Sequence, residues 1–209
     1  MQIDPIKYFI FDFGGIFINI HYHATSKAFT DLGFTGFDDF YSQTHALDLF
    51  EKLETGAVDA ADFYNAVRHI SNLPGLTDAK IEEAWSAMLG DFRLDSLNFI
   101  LKLKEKYPVY LLSNTNAIHF NKFEDTLKAL TGNSLAYYFN KVYYSHNLNL
   151  GNPYADIYEF VLNDIGAKAE EAIFIDDTKI NIDAASGLGL ATHLLLPDET
   201  VETVFAKYI

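Results

Sequence analysis

Tyr8-Phe9-Ile10-Phe11-Asp12-Phe13-Gly14-Gly15 is a nearly unbroken apolar run that delivers one carboxylate and then two glycines. Consecutive β-formers with no polar face predict a central strand buried on both sides, the kind found mostly in parallel sheets. Asp12 then stands where that strand runs out. In open α/β sheets ligands bind beyond the carboxyl ends of the strands, and Gly14-Gly15 lets the backbone turn sharply or approach a ligand closely. Asp12 is therefore a candidate nucleophile or metal ligand. The competing reading is a side chain that merely caps a turn, as Asp near Gly often does.

Two further stretches repeat the pattern of a buried strand with a polar tip. Val109-Tyr110-Leu111-Leu112 runs into Ser113-Asn114-Thr115-Asn116, and Ala172-Ile173-Phe174-Ile175 runs into Asp176-Asp177. A parallel sheet brings all such tips to one edge. Adjacent carboxylates repel unless a cation or a shared proton offsets them, so Asp12, Asp176 and Asp177 together imply a hard divalent ion, with Mg²⁺ the natural choice. The plainer alternative for Asp176-Asp177 is a cap on the helix that follows. Ser113 with Asn114 offers a hydroxyl, an amide and backbone N–H groups at a strand-to-helix turn, which suits phosphate oxygens.

Between the first two tips the periodicity is helical. Segments 24–32, 46–53 and 60–70 carry apolar residues at helical spacing and close on Gly33, Gly56 and Pro74-Gly75, and a Thr77-capped helix follows. Phe37-Asp38-Asp39 reads as a turn or a helix start. Residues 17–90 are thus expected to form a compact all-helical block. From Asp91 strands and helices alternate: helices at 94–106, 118–130, 153–165 with Pro153 near the first turn, and 180–187; strands at 109–112, 141–144, 172–175 and 192–196. The expected architecture is α/β, a doubly wound parallel sheet built from residues 1–16 and 91–209, carrying the helical insertion.

Composition narrows the function. A chain of 209 residues, 49% hydrophobic, buries a sizeable core. The absence of cysteine excludes disulfides, thiol nucleophiles and Cys-based zinc sites, leaving oxygen or imidazole to hold any metal. A formal charge of −14 argues against nucleic acid or an anionic membrane as partner, but not against a small phosphorylated ligand held through Mg²⁺. No apolar run approaches the ~18 residues of a membrane span. Met1-Gln2-Ile3-Asp4-Pro5 lacks the basic start of a secretory signal, so a cytoplasmic location is expected. His21-Tyr22-His23 places two imidazoles on one side of an extended segment, but no third ligand follows at a suitable spacing, and a solvated linker is the expectation. Phe29, Phe34, Phe37, Phe40, Tyr41 and Phe50 are expected to pack the helical block rather than line a pocket.

Ile10-Phe11-Asp12-Phe13-Gly14-Gly15, Leu111-Leu112-Ser113-Asn114-Thr115-Asn116 and Phe174-Ile175-Asp176-Asp177-Thr178-Lys179-Ile180-Asn181 resemble motifs I, II and IV of the haloacid dehalogenase superfamily. The resemblance is greatest to its phosphatase branch with a DD-x-x-x-N fourth motif, and it covers essentially the whole chain, with the helical block where that superfamily carries a C1 cap. It implies that Asp12 is the nucleophile of an aspartyl-phosphate, that Asp12, Asp177 and the Gly14 carbonyl hold Mg²⁺ with Asp176 and Asn181 supporting them, and that Ser113 and Asn114 bind the transferring phosphoryl group.

Two positions depart from that pattern. The superfamily's acid/base aspartate stands two residues after the nucleophile, where this chain has Gly14; general acid catalysis is typically worth ~10²–10⁴-fold. Its motif III lysine aligns with Asn152, before Pro153, and an amide carries no charge with which to offset nucleophile and phosphate. Lys122, Lys141, His146 and Lys179 are candidate substitutes. The expectation is a slow Mg²⁺-dependent phosphatase of a small phosphate monoester; the alternative is an impaired relative that binds a phosphorylated ligand or partner. Halide displacement is disfavoured, because Asp176-Asp177 implies a metal that it does not need.

Overall fold

A computed structural model describes residues 6–42 and 44–209; the segment Met1-Gln2-Ile3-Asp4-Pro5, on which the expectation of no leader rests, lies outside them. Strands β1 (Tyr8–Phe11), β4 (Val109–Ser113), β5 (Lys141–Tyr144), β6 (Ala172–Asp176) and β7 (Ala191–Leu194) form one sheet in the order β5-β4-β1-β6-β7, every pair parallel. Strand β1 is central because both of its faces are covered. Phe9 and Phe11 enter one apolar cluster with Val109, Leu111 and Leu97, while Ile10 enters another with Leu112, Phe174 and Tyr158. That two-sided burial is why the run from Tyr8 to Phe11 shows no polar alternation.

The chain builds the β4 and β5 side of the sheet and then crosses β1 to add β6 and β7. The strand order therefore reverses beside β1, at its carboxyl end, where doubly wound sheets bind ligands. Phe11 is in register with Leu111 on one side and Ile175 on the other, so Asp12 leaves the sheet level with Asp176 and one residue short of Ser113.

Helices α1 (Tyr22–Asp31), α2 (Phe37–Ser42), α3 (Thr44–Glu54), α4 (Ala60–Ser71) and α5 (Asp78–Ser86) make up the insertion. Side-chain caps start two of them: Asp59 accepts from the Asp62 N–H at 2.8 Å, and Thr77 from the Lys80 N–H at 3.4 Å. The insertion has its own aromatic core, with Phe29 stacked on Phe37 and Phe50 on Trp85, the packing role expected of the phenylalanines; Tyr41 departs from it, packing on Phe50 but also lining a cleft. The block is not all-helical, however. Its stem is a two-stranded antiparallel ribbon, β2 (Ile18–Ile20) against β3 (Leu89–Phe92), made possible by the alternation Ile18-Asn19-Ile20.

The remaining helices are α6 (Leu94–Lys104), α7 (Ala117–Thr131), α8 (Leu135–Tyr138), α9 (Ser145–Leu148), α10 (Ala155–Ile165), α11 (Lys179–Gly187) and α12 (Val201–Val204). Among them α8, α9 and α12 are single turns, too short to show a period, and α10 begins two residues after Pro153 rather than at it. Among the described residues no helix is long and apolar enough to cross a membrane.

Candidate active site

The carboxyl edge of the sheet and the insertion enclose a cleft of about 620 Å³. Its floor starts at Asp12, whose N–H still bonds the Ile175 carbonyl at 2.8 Å before the chain turns away. The turn is tight: Phe17 N–H returns to the Phe13 carbonyl and Gly15 N–H to the Ile18 carbonyl. Gly15 has φ +68°, and a Cβ there would fall 1.8 Å from Asp177 Oδ2, so position 15 has to be glycine for both conformation and space.

Asp12, Asp176 and Asp177 converge as expected, each offering a carboxylate oxygen within 4.8 Å of the others. Asp176 is fully buried and fixed, accepting from the Thr178 N–H at 2.7 Å and from Asn181 Nδ2 at 2.9 Å. Burial holds the Asp12 carboxyl well above the ordinary carboxylate range, reinforced by the charges of Asp176 and Asp177 and opposed by the N–H groups of Phe13 and Gly14. Asp176 is pushed up to about 6, chiefly by burial, with the bonds from Asn181 and Thr178 opposing. Burial also raises Asp177, against the neighbouring charge of Arg93. Hard oxygen donors whose ionised forms are this poorly supported by protein groups fit a divalent cation such as Mg²⁺.

On the other side of the cleft, Ser113 ends β4, buried but lining the cleft. The Asn114 amide grips the neighbouring loop, accepting from the Asn152 N–H at 2.8 Å and donating to the Asn152 carbonyl at 2.9 Å. Its direct action is therefore on the position of Asn152. The Asn152 side chain is itself 7% exposed, and neither its Nδ2 nor its Oδ1 has a protein partner. Trp85 Nε1, across the cleft on α5, is likewise buried and without a partner. Both residues line the cleft, but these atoms are themselves closed to solvent, so a ligand meets them only when the side chains turn toward it.

None of the four candidate replacements for the motif III lysine lines the cleft. Lys141 pairs with Asp164 at 2.6 Å and Lys179 with Asp183 at 2.7 Å, while Lys122 is exposed on α7 and His146 lies on α9. Among the described residues Arg93 is the one Lys or Arg lining it, its Nε donating to Asn19 Oδ1 at 2.9 Å. His21 and His23 are not on an extended segment: His21 precedes α1 and His23 lies in its first turn. Neither belongs to a group of potential ligands, which among the described residues is Asp12, Asp176 and Asp177 alone.

Glu54, the last residue of α3, also lines the cleft. Its backbone is tied to the sheet edge through Ser145, which is fully buried. Ser145 Oγ lies 2.6 Å from the Glu54 carbonyl and 2.9 Å from the Thr115 carbonyl, and accepts from the Thr115 N–H at 2.9 Å. The Glu54 carboxyl is raised to about 7 by burial and then by Glu51. Arg93, Glu54 and Trp85 are site residues that sequence reasoning missed, since each reaches the cleft from the insertion or its stem.

Residues 6–189 match the family model of haloacid dehalogenase-like hydrolases. A D-ribitol-5-phosphate phosphatase of Bacteroides thetaiotaomicron is 32% identical over 189 residues, 90% of either chain. Among solved structures, a HAD family enzyme from the same organism, in complex with magnesium and inorganic phosphate, is 32% identical and superposes with a TM-score of 0.88, covering 96% of this chain and 99% of that one. A predicted HAD-like hydrolase from Porphyromonas gingivalis, 26% identical, also gives 0.88 over 97% of both chains.

Proposed function

We propose that this chain, which belongs to the haloacid dehalogenase-like hydrolases, is a Mg²⁺-dependent phosphatase of small, hydroxyl-rich phosphate monoesters, with residues 17–90 acting as its cap. The observation that carries the reading is the Asp12, Asp176 and Asp177 cluster facing Ser113 and Asn152 across one cleft. The polyol phosphate in the name of the 32%-identical relative supports the substrate class. So does the cap side of the cleft, where Tyr22, Tyr41 and Glu54 can hydrogen-bond hydroxyl groups.

Asp12, Asp177 and the Gly14 carbonyl are the residues that would hold Mg²⁺, supported by Asp176 and Asn181. When bound, the ion supplies positive charge against the phosphoryl oxygens and relieves the repulsion among the carboxylates. Asp12 attacks phosphorus in line with the ester oxygen. The phosphorus–oxygen ester bond breaks, and the phosphoryl group is left on the Asp12 carboxylate. The Ser113 hydroxyl and, once its side chain turns into the cleft, the Asn152 amide donate hydrogen bonds to the phosphoryl oxygens. Water then attacks that phosphorus and frees Asp12.

The test is hydrolysis of D-ribitol 5-phosphate and of p-nitrophenyl phosphate by the wild type and by Asp12→Asn, each with Mg²⁺ and with a chelator. Turnover that needs both Asp12 and Mg²⁺ is expected. Turnover surviving Asp12→Asn would remove the nucleophile assignment. A second reading, a binder of phosphorylated ligands, is favoured by one observation: Asn152 puts an uncharged amide where a cation would serve turnover most. No hydrolysis of either ester, alongside measurable inorganic phosphate binding, would favour it.

A further inference from the structure

Position 14 cannot supply a proton to a departing oxygen. A Cβ built on Gly14 would make only an ordinary contact, 3.5 Å, with the apolar Ile20 Cγ1. An alkyl phosphate nevertheless needs such a proton, because an alkoxide is a poor leaving group.

The other ionisable groups lining the cleft are poorly suited. Asp12 and Asp177 belong to the carboxylate cluster. His119 is pushed down to about 4 by burial, and its Nε2 lies 3.1 Å from the Trp85 carbonyl, so it is neutral and engaged. Tyr41 is raised to about 12 by burial and by Glu54, which makes it a weak acid near neutral pH. His21 is exposed at the mouth.

We propose that Glu54, the last residue of α3, is the catalytic acid that protonates the leaving oxygen, performing from the insertion the task that Gly14 leaves undone. The proposal rests on the phosphatase reading above. Two observations carry it. Glu54 lines the same cleft as Asp12, Ser113 and Asn152. And the backbone of Glu54 is fixed against the phosphate-side loop by Ser145, with Gly56 packed so tightly on His146 that a Cβ would lie 2.3 Å from its carbonyl oxygen. A general acid has to be held in this way, since proton transfer requires hydrogen-bond reach.

No cation pairs with Glu54 among the described residues. The ionisable groups around it are Glu51 on its own helix, which accepts from Tyr154 Oη at 3.0 Å, Tyr22 of α1 and Tyr41 of α2. Burial first and the charge of Glu51 second disfavour its ionised form, and its elevation to about 7 keeps a large protonated fraction at neutral pH.

The proton balance closes. As Asp12 attacks phosphorus, the ester bond breaks with its electron pair on oxygen, and the Glu54 proton passes to that oxygen to give the free alcohol. Glu54, now ionised, takes a proton from the water that attacks the aspartyl-phosphate. Inorganic phosphate leaves, Asp12 is restored and Glu54 is again protonated.

The experiment compares kcat/KM for D-ribitol 5-phosphate and p-nitrophenyl phosphate in wild type, Glu54→Gln and His21→Gln, with Mg²⁺ present, over a range of pH. This ratio reports only the steps through departure of the leaving group. Glu54→Gln is expected to lose ~10²–10⁴-fold on the alkyl ester while leaving the aryl ester, whose phenolate needs no proton, little changed. The wild type should lose activity on the alkyl ester as pH rises above about 7, and Glu54→Gln should lack that limb. Equal loss on both esters would show that Glu54 acts in binding or folding and overturn the proposal. So would no loss on either, or selective loss in His21→Gln instead. A wild type that hydrolyses neither ester would defeat the phosphatase reading itself, and the proposal with it.

Discussion

Replacing Ser145 by alanine removes one hydroxyl that serves three backbone groups at once. Ser145 is fully buried, and its Oγ accepts the Thr115 N–H while lying 2.6 Å from the Glu54 carbonyl and 2.9 Å from the Thr115 carbonyl. In Ser145→Ala the Thr115 N–H and the Glu54 carbonyl lose their partner where little water can reach them. At ~1–3 kcal/mol for each unsatisfied buried group, less what is recovered by no longer burying a hydroxyl, the loss should be ~2–4 kcal/mol. For a chain of this size that corresponds to a fall in Tm of roughly 5–15 °C. Urea unfolding followed by circular dichroism should show a lower midpoint with an unchanged slope, which separates lost stability from a changed native or denatured state. The same variant should lose activity on the alkyl ester, because the Glu54 backbone is no longer held to the loop beyond β4. A change below ~0.5 kcal/mol, within the range of ordinary surface substitutions, would refute the reasoning, since it would mean that water or a backbone shift replaces the hydroxyl without cost.

Glu54→Gln should alter how stability depends on pH. The folded-state value of about 7 stands above the ordinary 4.5, so the stability associated with the neutral acid is fully present below 4.5 and is lost as pH rises through 7. At ~1.4 kcal/mol per pH unit the variant should gain up to ~3 kcal/mol over wild type at pH 8, measured by chemical denaturation in chelator; parallel pH profiles would show that Glu54 is not strained by ionisation. Mg²⁺ should raise Tm, by ~2.7 kcal/mol of added stability at a concentration one hundred times Kd, and Asp177→Ala should abolish that rise. An equal rise in the variant would place the ion elsewhere. Asn152→Lys should raise kcat on p-nitrophenyl phosphate, since a missing donor at such a site costs ~10²–10³-fold; a decrease would mean that Arg93 or another group already meets that need.

The core of the site was legible because its strands are buried on both faces. The runs ending at Asp12, Ser113 and Asp176 lack alternation for that reason, and a parallel sheet then leaves no choice but to gather their tips. What approaches from the insertion was not legible. Glu54 sits at the end of a helix whose orientation depends on how the aromatic cluster packs, and the charged runs around it look like any solvated face. Arg93 follows β3, whose Leu89-Gly90-Asp91-Phe92 lacks the apolar run of the sheet strands, and its approach to Asn19 spans 74 positions of sequence. The pair of hydrogen bonds between the Asn114 amide and the Asn152 backbone was equally invisible, since only tertiary contact distinguishes an amide that grips a loop from one that grips a ligand.

Trp85 does not belong to the insertion alone. Its carbonyl accepts from Thr25 Oγ1 of α1 at 3.1 Å and lies 3.1 Å from His119 Nε2 of α7; its ring stacks on that imidazole at 5.0 Å; and Ile118, beside it, is counted in the insertion's own apolar cluster. Helix α7 is also the element that opens directly from the loop carrying Ser113 and Asn114. A cut at the boundaries of residues 17–90 would therefore uncover apolar surface on α7 and remove a partner from a buried imidazole. With these contacts shared, the insertion and the sheet should melt in one transition rather than as two independently folding pieces, which calorimetry would check.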